Sequence, residues 1–257
     1  MISAEKFQQE IDRIIETSLR EDIGDGDHSS LACIPASAAG RARLLVKDRG
    51  ILAGVDLARQ VFQAVDPDLD MEVLLQDGSN VGHGDTAFFI SGSSQSILRA
   101  ERLVLNAMQR MSAIATKTRR YVNLLEGTGT KILDTRKTTP GIRALEKWAV
   151  RIGGGTNHRF ALYDMIMLKD NHIDFAGGIR EAISKTREYL ASTGRDLKII
   201  VEARNLVEVD EILACQGVHR ILLDNFNYAD TLEAVRRIGG RCETESSGGI
   251  DEKTLRA

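Results

Sequence analysis

The chain has 257 residues, of which 42% are hydrophobic and 28% are charged, and its formal net charge is −3. A chain of this length forms one large domain or two smaller ones, and it buries a sizeable core without disulfides or a structural metal. The small negative charge excludes the basic footprint of a nucleic-acid-binding protein. The three cysteines are scattered along the chain, which favours a reducing compartment. The N-terminus lacks a signal-peptide core and no apolar run reaches the ~20 residues that span a bilayer. We therefore expect a cytoplasmic protein that binds neither nucleic acid nor membranes.

The N-terminal part of the chain combines helical and alternating patterns. Residues 4–20 repeat apolar side chains on one helical face, and Ser3 is placed to cap that helix. The next patterns predict strands over 41–47, 69–76 and 86–92 and a helix over 55–65. We expect these elements to form an α+β unit with an antiparallel sheet. Residues 96–126 contain almost no helix breaker and predict one long helix or two abutting ones.

Beyond residue 127 the chain alternates between short apolar runs and amphipathic stretches. The apolar runs are residues 131–135, 163–169, 197–202, 220–225 and 242–246. Helical patterns separate them over residues 141–152, 177–193, 205–216 and 228–239. This alternation predicts parallel strands covered by helices, in either an α/β barrel or a doubly wound sheet. Five such units are fewer than the eight strands that close a barrel.

A polar or charged group stands at the carboxyl end of each predicted strand. These groups are Asp134–Thr135, Lys169–Asp170, Glu202, Asp224 and Ser246–Ser247. In α/β barrels the chemistry gathers at that end of the strands. We therefore expect these groups to meet at one site.

Residues 134–172 form a cationic segment, because seven lysines and arginines outnumber four acids there. A local cationic region in an acidic protein favours a small anionic ligand over a polyanion. Strand ends and glycine-rich turns are predicted to bring four of the cations together: Arg136, Lys137, Arg159 and Lys169. The three on the intervening helix are expected to be solvated charges: Arg143, Lys147 and Arg151.

Two glycine-rich segments suggest backbone contacts with a ligand. GGGTNH (153–158) does not match the dinucleotide-binding pattern, and it either lets the backbone approach a ligand or makes a tight turn. SSGGI (246–250) follows a predicted strand and is expected to open a helix, so it is either a phosphate-binding turn or a plain turn.

Carboxylates offer two candidate metal sites. Glu202 and Asp224 have the oxygen ligands that Mg²⁺ takes while it holds a phosphorylated substrate. Asp25, Asp27 and His28 have the composition of a metal cluster, but short-range Asx turns are the favoured reading of that loop.

These segments together resemble the family of nicotinate-nucleotide pyrophosphorylase (carboxylating), also called quinolinate phosphoribosyltransferase. The resemblance is carried above all by DTRKTTPG together with GGGTNHR and KDNH. It runs in the family's order through EDIGDGDHSS, AERLVLNAMQRMSAIAT, DTRKTTPGIRALEKWAV, GGGTNHRFALYDMIMLKDNH, VEARNL, LLDN and SSGGI. It implies an N-terminal α/β sandwich over residues 1–113 and an open (β/α) TIM-like barrel over 114–257, short at its C-terminal end. It further implies a homodimer or higher homo-oligomer, in which the first domain lids the partner subunit's site.

The resemblance also implies a reaction, in which quinolinate and phosphoribosyl pyrophosphate give nicotinate mononucleotide, carbon dioxide and pyrophosphate, with Mg²⁺. The implied quinolinate ligands are Thr135, Arg136, Lys137, His158, Arg159 and Lys169, with Arg102 from the neighbouring subunit. Glu202 and Asp224 would serve the ribose and the metal, and Ser247, Gly248 and Gly249 would bind the 5′-phosphate. The implied catalytic residues are Lys137, Lys169, Glu202 and Asp224, and either lysine would assist decarboxylation.

Two other functions are compatible with the sequence. A relative with the same chemistry could take another anionic acceptor, as the molybdenum-associated paralogues of the family do. A non-catalytic ligand-binding or scaffolding protein is the alternative from a different class.

Overall fold

The computed structural model describes residues 2–256, and these residues divide into two compact units, 2–158 and 159–256. The N-terminal unit contains α1 (Ala4–Ile23), α2 (His28–Cys33), β1 (Ala39–Leu45), β2 (Gly50–Ile51), α3 (Val55–Val65), β3 (Asp70–Val73), β4 (Asn80–Val81), β5 (Thr86–Ser93), α4 (Ser94–Leu124) and α5 (Arg143–Ile152). The C-terminal unit contains β6 (Ile166–Leu168), α6 (Asp170–Ala176), α7 (Ile179–Thr193), β7 (Ile199–Ala203), α8 (Leu206–Leu213), β8 (Arg220–Asp224), α9 (Tyr228–Ile238) and β9 (Glu243–Ser247).

The N-terminal unit has an antiparallel sheet in the order β1-β5-β3, as the alternating patterns predicted. The side chains of Ala87, Phe88 and Ile90 on β5 are buried. The ring of Phe62, on α3, meets Phe88 edge to face with 6.0 Å between the ring centroids. Such an aromatic pair contributes about 0.5–1.5 kcal/mol beyond the burial of its area. This contact holds α3 against the sheet.

The breaker-free stretch after β5 forms one helix, α4, of 31 residues. Two hydroxyls on α4 satisfy backbone donors of β2 and of the segment that follows it. Thr116 Oγ1 accepts the N–H of Ile51 at 2.8 Å, and Ser112 Oγ accepts the N–H of Ala53 at 3.0 Å. The domain boundary predicted after residue 113 falls inside α4, whereas the compact units divide after residue 158. The domain limits 1–113 and 114–257 therefore stay a prediction.

The C-terminal unit contains a parallel sheet in the order β6-β7-β8-β9. Successive side chains of a strand point to opposite faces. One face of the sheet packs with α6 to α9 into the main core of the unit through Ile199, Val201, Ala203, Ile221 and Leu223. The other face carries a smaller cluster of Met165, Ile200 and Leu222. Among the described residues the helices cover the first face, which is the arrangement of an α/β barrel and not of a doubly wound sheet.

Two local predictions are wrong. Residues 131–135 form an isolated bridge between Leu133 and Thr156 and not a strand. The Asp134 side chain there binds the backbone N–H of His158, and the chain turns away after it. Residues 252–256 form turns and not the expected helix, with the N–H of Leu255 donating to the carbonyl of Asp251 at 2.8 Å.

No helix within residues 2–256 is long and apolar enough to cross a membrane.

Candidate active site

The first group of predicted ligands lies in the N-terminal unit and directly follows Asp134, which belongs to a buried ion pair. The Asp134 carboxylate pairs with the ammonium of Lys147 on α5, and the Lys147 side chain is 1% exposed. Asp134 also accepts the N–H of His158 at 2.8 Å and the Nδ2–H of Asn157 at 2.5 Å. The prediction that Lys147 is a solvated charge is wrong, because a buried carboxylate such as Asp134 needs a paired cation. The pair joins α5 and residues 157–158 to the start of the loop that follows Asp134.

Thr135, Arg136 and Lys137 form that loop. Thr135 Oγ1 accepts the N–H of Lys137 at 3.0 Å, which bends the chain. The Lys137 side chain is exposed and Arg136 is half-buried. The Nε of Arg136 is buried and has no hydrogen-bond partner within residues 2–256. A buried donor without an acceptor costs about 1–3 kcal/mol, so the loop is suited to binding an anion through Arg136.

His158 and Arg159 are both buried, with 8% and 7% of their surface exposed. His158 ends the N-terminal unit and Arg159 begins the C-terminal one. Nη1 of Arg159 donates to the carbonyl of Met165 at 3.3 Å, which orients the guanidinium within its own unit. That His158 and Arg159 bind the ligand stays a prediction.

The other charges of α5 are only partly solvated. Arg151 is exposed, with its guanidinium carbon 4.8 Å from the ring centroid of Phe7, as expected for a surface cation. Arg143 is half-buried, and its Nε donates to Thr138 at 3.0 Å.

Glu146, also on α5, is buried, which the sequence analysis did not predict. Burial opposes its ionisation, but hydrogen bonds from Arg110 and the Thr139 hydroxyl outweigh burial and lower the pKa of Glu146.

Arg102 lies on α4 with an exposed side chain. Its Nη2 is 3.6 Å from the carboxylate of the adjacent Glu101. An exposed ion pair of this kind contributes little free energy, so it restrains the guanidinium only weakly. The contact of Arg102 with a neighbouring subunit stays a prediction.

The second group of predicted ligands lies at one edge of the parallel sheet, in the C-terminal unit. Lys169 directly follows β6, Glu202 is near the end of β7, and Asp224 and Ser247 end β8 and β9. Asp224 and Ser247 are register partners across the two strands. Glu202 and Asp224 share a face of the sheet with Ile200 and Leu222, since side chains two residues apart point the same way. Four of the five predicted strand-end groups therefore lie at this edge, whereas Asp134–Thr135 ends no strand. The roles of all five stay predictions.

The two carboxylates of this edge repel each other. Burial raises the pKa of Glu202, and the charge of Asp224 raises it further, whereas Lys169 lowers it. Within the described residues, His, Cys, Asp and Glu form no group of three that could hold a metal. Two carboxylates whose charges repel each other offer the oxygen ligands that Mg²⁺ takes, and the binding of Mg²⁺ here stays a prediction.

The SSGG turn consists of the last two residues of β9 and the two glycines after them, and its residues Ser247, Gly248 and Gly249 are exposed. Gly248 and Gly249 have φ angles of 90° and 66°, a region that favours glycine. Asn225, which follows β8, approaches this turn and was not predicted. The Nδ2 of Asn225 donates to Asp224 Oδ2 at 2.8 Å. The signal that the sequence offered was an Asn directly after an apolar strand, since Asn tolerates the left-handed conformation.

The acidic loop before α2 is a local turn and cap. Asp27 Oδ1 accepts the N–H of Ser30 at 3.2 Å and caps α2, which the sequence had not predicted as a helix. His28 Nε2 is 3.4 Å from the exposed Asp25 carboxylate. Asp27 thus bonds locally, as the favoured interpretation predicted, but its bond to Ser30 is a helix cap and not an Asx turn.

The GGG segment brings the backbone close to α4. An added Cβ at Gly153 would lie 2.6 Å from the Ala115 carbonyl oxygen, and one at Gly155 would lie 2.8 Å from the Thr118 side chain. These two glycines therefore let the backbone come close to a neighbour, as expected, but the neighbour is helix α4 and not a ligand.

A parallel sheet with helices on one face and charged groups at the carboxyl ends of its strands has the arrangement of an α/β-barrel enzyme. Family models match both parts of the chain: "Quinolinate phosphoribosyl transferase, N-terminal domain" over residues 27–112, and "Quinolinate phosphoribosyl transferase, C-terminal domain" over residues 114–257. The chain belongs to this family of pentosyltransferases.

Named relatives and a solved structure agree with the family. The chain is 43% identical to quinolinate phosphoribosyltransferase (decarboxylating) 1b of Nicotiana tabacum, over 94% of this chain and 73% of the relative. It is 39% identical to a probable nicotinate-nucleotide pyrophosphorylase (carboxylating) of Synechocystis sp., over 96% of this chain and 83% of the relative. The crystal structure of NadC from Streptococcus pyogenes superposes with a TM-score of 0.89 at 38% identity, over 100% of this chain and 88% of that chain.

Proposed function

We propose that this protein transfers the phosphoribosyl group of phosphoribosyl pyrophosphate to quinolinate and releases carbon dioxide, a step of NAD biosynthesis. The observation that carries the proposal is the combination, in a member of this family, of a cationic loop with a carboxylate-bearing sheet edge. Arg136 and Lys137 provide the first, and Glu202 and Asp224 the second.

The cationic groups support binding of the acceptor. Quinolinate is a dicarboxylate, and an arginine fork matches two carboxylate oxygens at once. Arg136, with its buried Nε, and Arg159, with its oriented guanidinium, are the residues we assign to the two carboxylates. Thr135, His158 and the exposed ammoniums of Lys137 and Lys169 complete the proposed acceptor site.

The sheet edge supports binding of the donor. We assign the ribose hydroxyls and a Mg²⁺ to Glu202 and Asp224, and the 5′-phosphate to the turn at Ser247, Gly248 and Gly249. When bound there, Mg²⁺ supplies charge stabilisation for the departing pyrophosphate. Glu202 also stabilises positive charge that develops on the ribose as the pyridine nitrogen bonds to its anomeric carbon.

Decarboxylation follows because transfer of the phosphoribosyl group leaves a positive charge on the pyridine ring. Alkylation makes the ring nitrogen cationic, so the bond to the adjacent carboxylate breaks and its electron pair stays on the ring carbon. Carbon dioxide leaves and the carbon takes a proton. Lys137 or Lys169 stabilises this carbanion or delivers the proton, and loss of one such well-aimed group is expected to lower the rate about 10²–10³-fold.

A steady-state assay with quinolinate, phosphoribosyl pyrophosphate and Mg²⁺ tests the proposal. Quinolinate labelled in the carboxylate next to the nitrogen should release labelled carbon dioxide in step with pyrophosphate. Pyrophosphate release with another anionic acceptor, but not with quinolinate, would identify a different acceptor. A folded sample that releases no pyrophosphate with any acceptor would be a binding protein.

We further propose that the protein acts in the cytoplasm as a homodimer or higher homo-oligomer. The exposed Arg102 supports a site that is shared between subunits. Relatives in Arabidopsis thaliana and Nicotiana tabacum are named as chloroplastic and mitochondrial, so cell fractionation is the test of location.

A further inference from the structure

Asn225 holds a backbone conformation that few side chains adopt. Its φ of 56° is the one positive value among the non-glycine residues of 2–256. The left-handed region is disfavoured for residues with a Cβ, and Asn is among the few that tolerate it. Such strain persists only where the surroundings determine the conformation, and it clusters at functional sites.

The contacts of Asn225 join the ends of two strands. Its Nδ2 donates to Asp224 Oδ2 at 2.8 Å, and its backbone N–H donates to the carbonyl of Ser247 at 2.8 Å. The second bond extends the β8–β9 pairing one step beyond the register pair of Asp224 and Ser247. The first bond orients the Asp224 carboxylate. One residue thus contacts both the carboxylate edge and the start of the SSGG turn.

Gly248 fits against the Asn225 side chain without room for a methyl group. A Cβ on Gly248 would lie 2.1 Å from Asn225 Oδ1 and 2.5 Å from Asn225 Cγ. The Asn225 amide therefore occupies the space beside the Gly248 backbone. A displacement of this amide changes the Asp224 carboxylate and the turn together.

We propose that Asn225 is a positioning residue for phosphoribosyl pyrophosphate. It holds the Asp224 carboxylate and the turn of Ser247 to Gly249 at the spacing that the ribose and the 5′-phosphate require. This inference rests on the proposed function, because it takes that substrate as the ligand of the sheet edge. The acceptor side is not involved, so the effect is specific to the donor substrate.

Three variants separate the side chain from the backbone. Asn225→Gly accepts the φ angle but lacks the amide, Asn225→Ala lacks the amide and is strained, and Asn225→Asp puts a carboxylate beside Asp224. Loss of an outer partner of a ligand-binding group lowers affinity or activity about 10–100-fold. We expect KM for phosphoribosyl pyrophosphate to rise by this factor in all three variants. The dissociation constant for quinolinate should stay unchanged.

Calorimetry provides a readout that does not depend on turnover. Phosphoribosyl pyrophosphate with Mg²⁺ is titrated into protein saturated with phthalate, a dicarboxylate that cannot react. The matched control is Asn227→Ala in the same loop. Asn227 Oδ1 accepts the N–H of Asp230 at 2.9 Å and caps α9, so this variant should melt at a lower temperature yet bind the donor normally.

The outcomes distinguish the inference from the proposed function. If the wild-type protein turns over and Asn225→Gly keeps wild-type affinity for the donor, only the backbone matters and the inference is wrong. Equal weakening by Asn227→Ala would also overturn it, because a general loss of stability would then be the cause. A wild-type protein without turnover or donor binding would instead refute the proposed function, and the inference with it.

Discussion

The burial of Lys147 illustrates how a single residue ties a predicted ligand loop to the helix behind it. Its ammonium and the Asp134 carboxylate have side-chain exposures of 1% and 8%. The carboxylate also binds the backbone N–H of His158 at 2.8 Å. Removal of either charge would leave the other buried without its partner, and this is the most costly way to disturb an ion pair.

We expect Lys147→Ala to lower the free energy of unfolding by about 3–5 kcal/mol, the cost of breaking a buried pair from one side. Urea unfolding monitored by circular dichroism measures the change. Arg151→Ala, on the same helix but exposed, is the matched control and should cost about 1 kcal/mol or less, the scale of an exposed cation–π contact. Similar losses in the two variants would mean that Lys147 is not a buried partner of Asp134.

At the scale of elements, the ionised carboxylate of Glu202 on β7 destabilises the fold, because it is partly buried and lies near Asp224 on β8. Burial and the charge of Asp224 raise the pKa of Glu202. The folded chain therefore binds the Glu202 proton more tightly than the unfolded chain does. Ionisation of Glu202 lowers stability as the pH rises from below the ordinary value of 4.5 through the raised value.

Glu202→Gln removes this ionisation, so its melting temperature should exceed that of the wild type at pH 8 and match it at pH 4. Activity should fall about 10²–10³-fold, because a group that stabilises charge in the transition state is lost. Thermal unfolding across pH provides the measurement.

Glu233→Gln on α9 is the control of opposite sign, because a hydrogen bond from Arg237 lowers the pKa of Glu233. The ionised Glu233 stabilises the fold above its ordinary pKa, and this stabilisation is lost as the pH falls. The Glu233→Gln variant should therefore be less stable than the wild type at pH 8. A Glu202→Gln variant with a lower melting temperature at pH 8 would contradict the assignment.

At the scale of the whole molecule, the proposal that Arg102 serves a neighbouring subunit predicts complementation. Arg102→Ala and Lys137→Ala are each expected to be nearly inactive. After subunit exchange, half of the dimers would be mixed and one of their two sites intact, so activity should return to about a quarter of the wild-type value. A mixture of Arg136→Ala and Lys137→Ala is the control and should stay inactive, because both residues belong to the same loop. No recovery in the first mixture, with exchange verified, would place Arg102 outside a shared site.

Much of the fold was predictable because it follows from local periodicity. Apolar side chains repeat every three to four residues in α3 and alternate in β1, and both elements formed close to their expected limits. The segment after Gly127 was predicted as parallel strands and helices for the same reason. The strand expected over 131–135 is reduced to a single parallel bridge, in which Thr156 donates its N–H to the carbonyl of Ile132 at 2.8 Å and accepts the N–H of Asp134 at 3.2 Å.

The sequence by itself determined the elements, the parallel order of the second half and the gathering of polar groups at strand ends. Its motifs also identified the family. Only the tertiary structure decided that Lys147 is buried and that Asn225 contacts Gly248, since each depends on partners that pattern does not reveal. Lys147 lies on α5 and Asp134 lies in the loop before it, while Asn225 and Gly248 follow two different strands. Periodicity reports which face of an element is apolar, whereas the pairing of polar groups depends on which elements pack together.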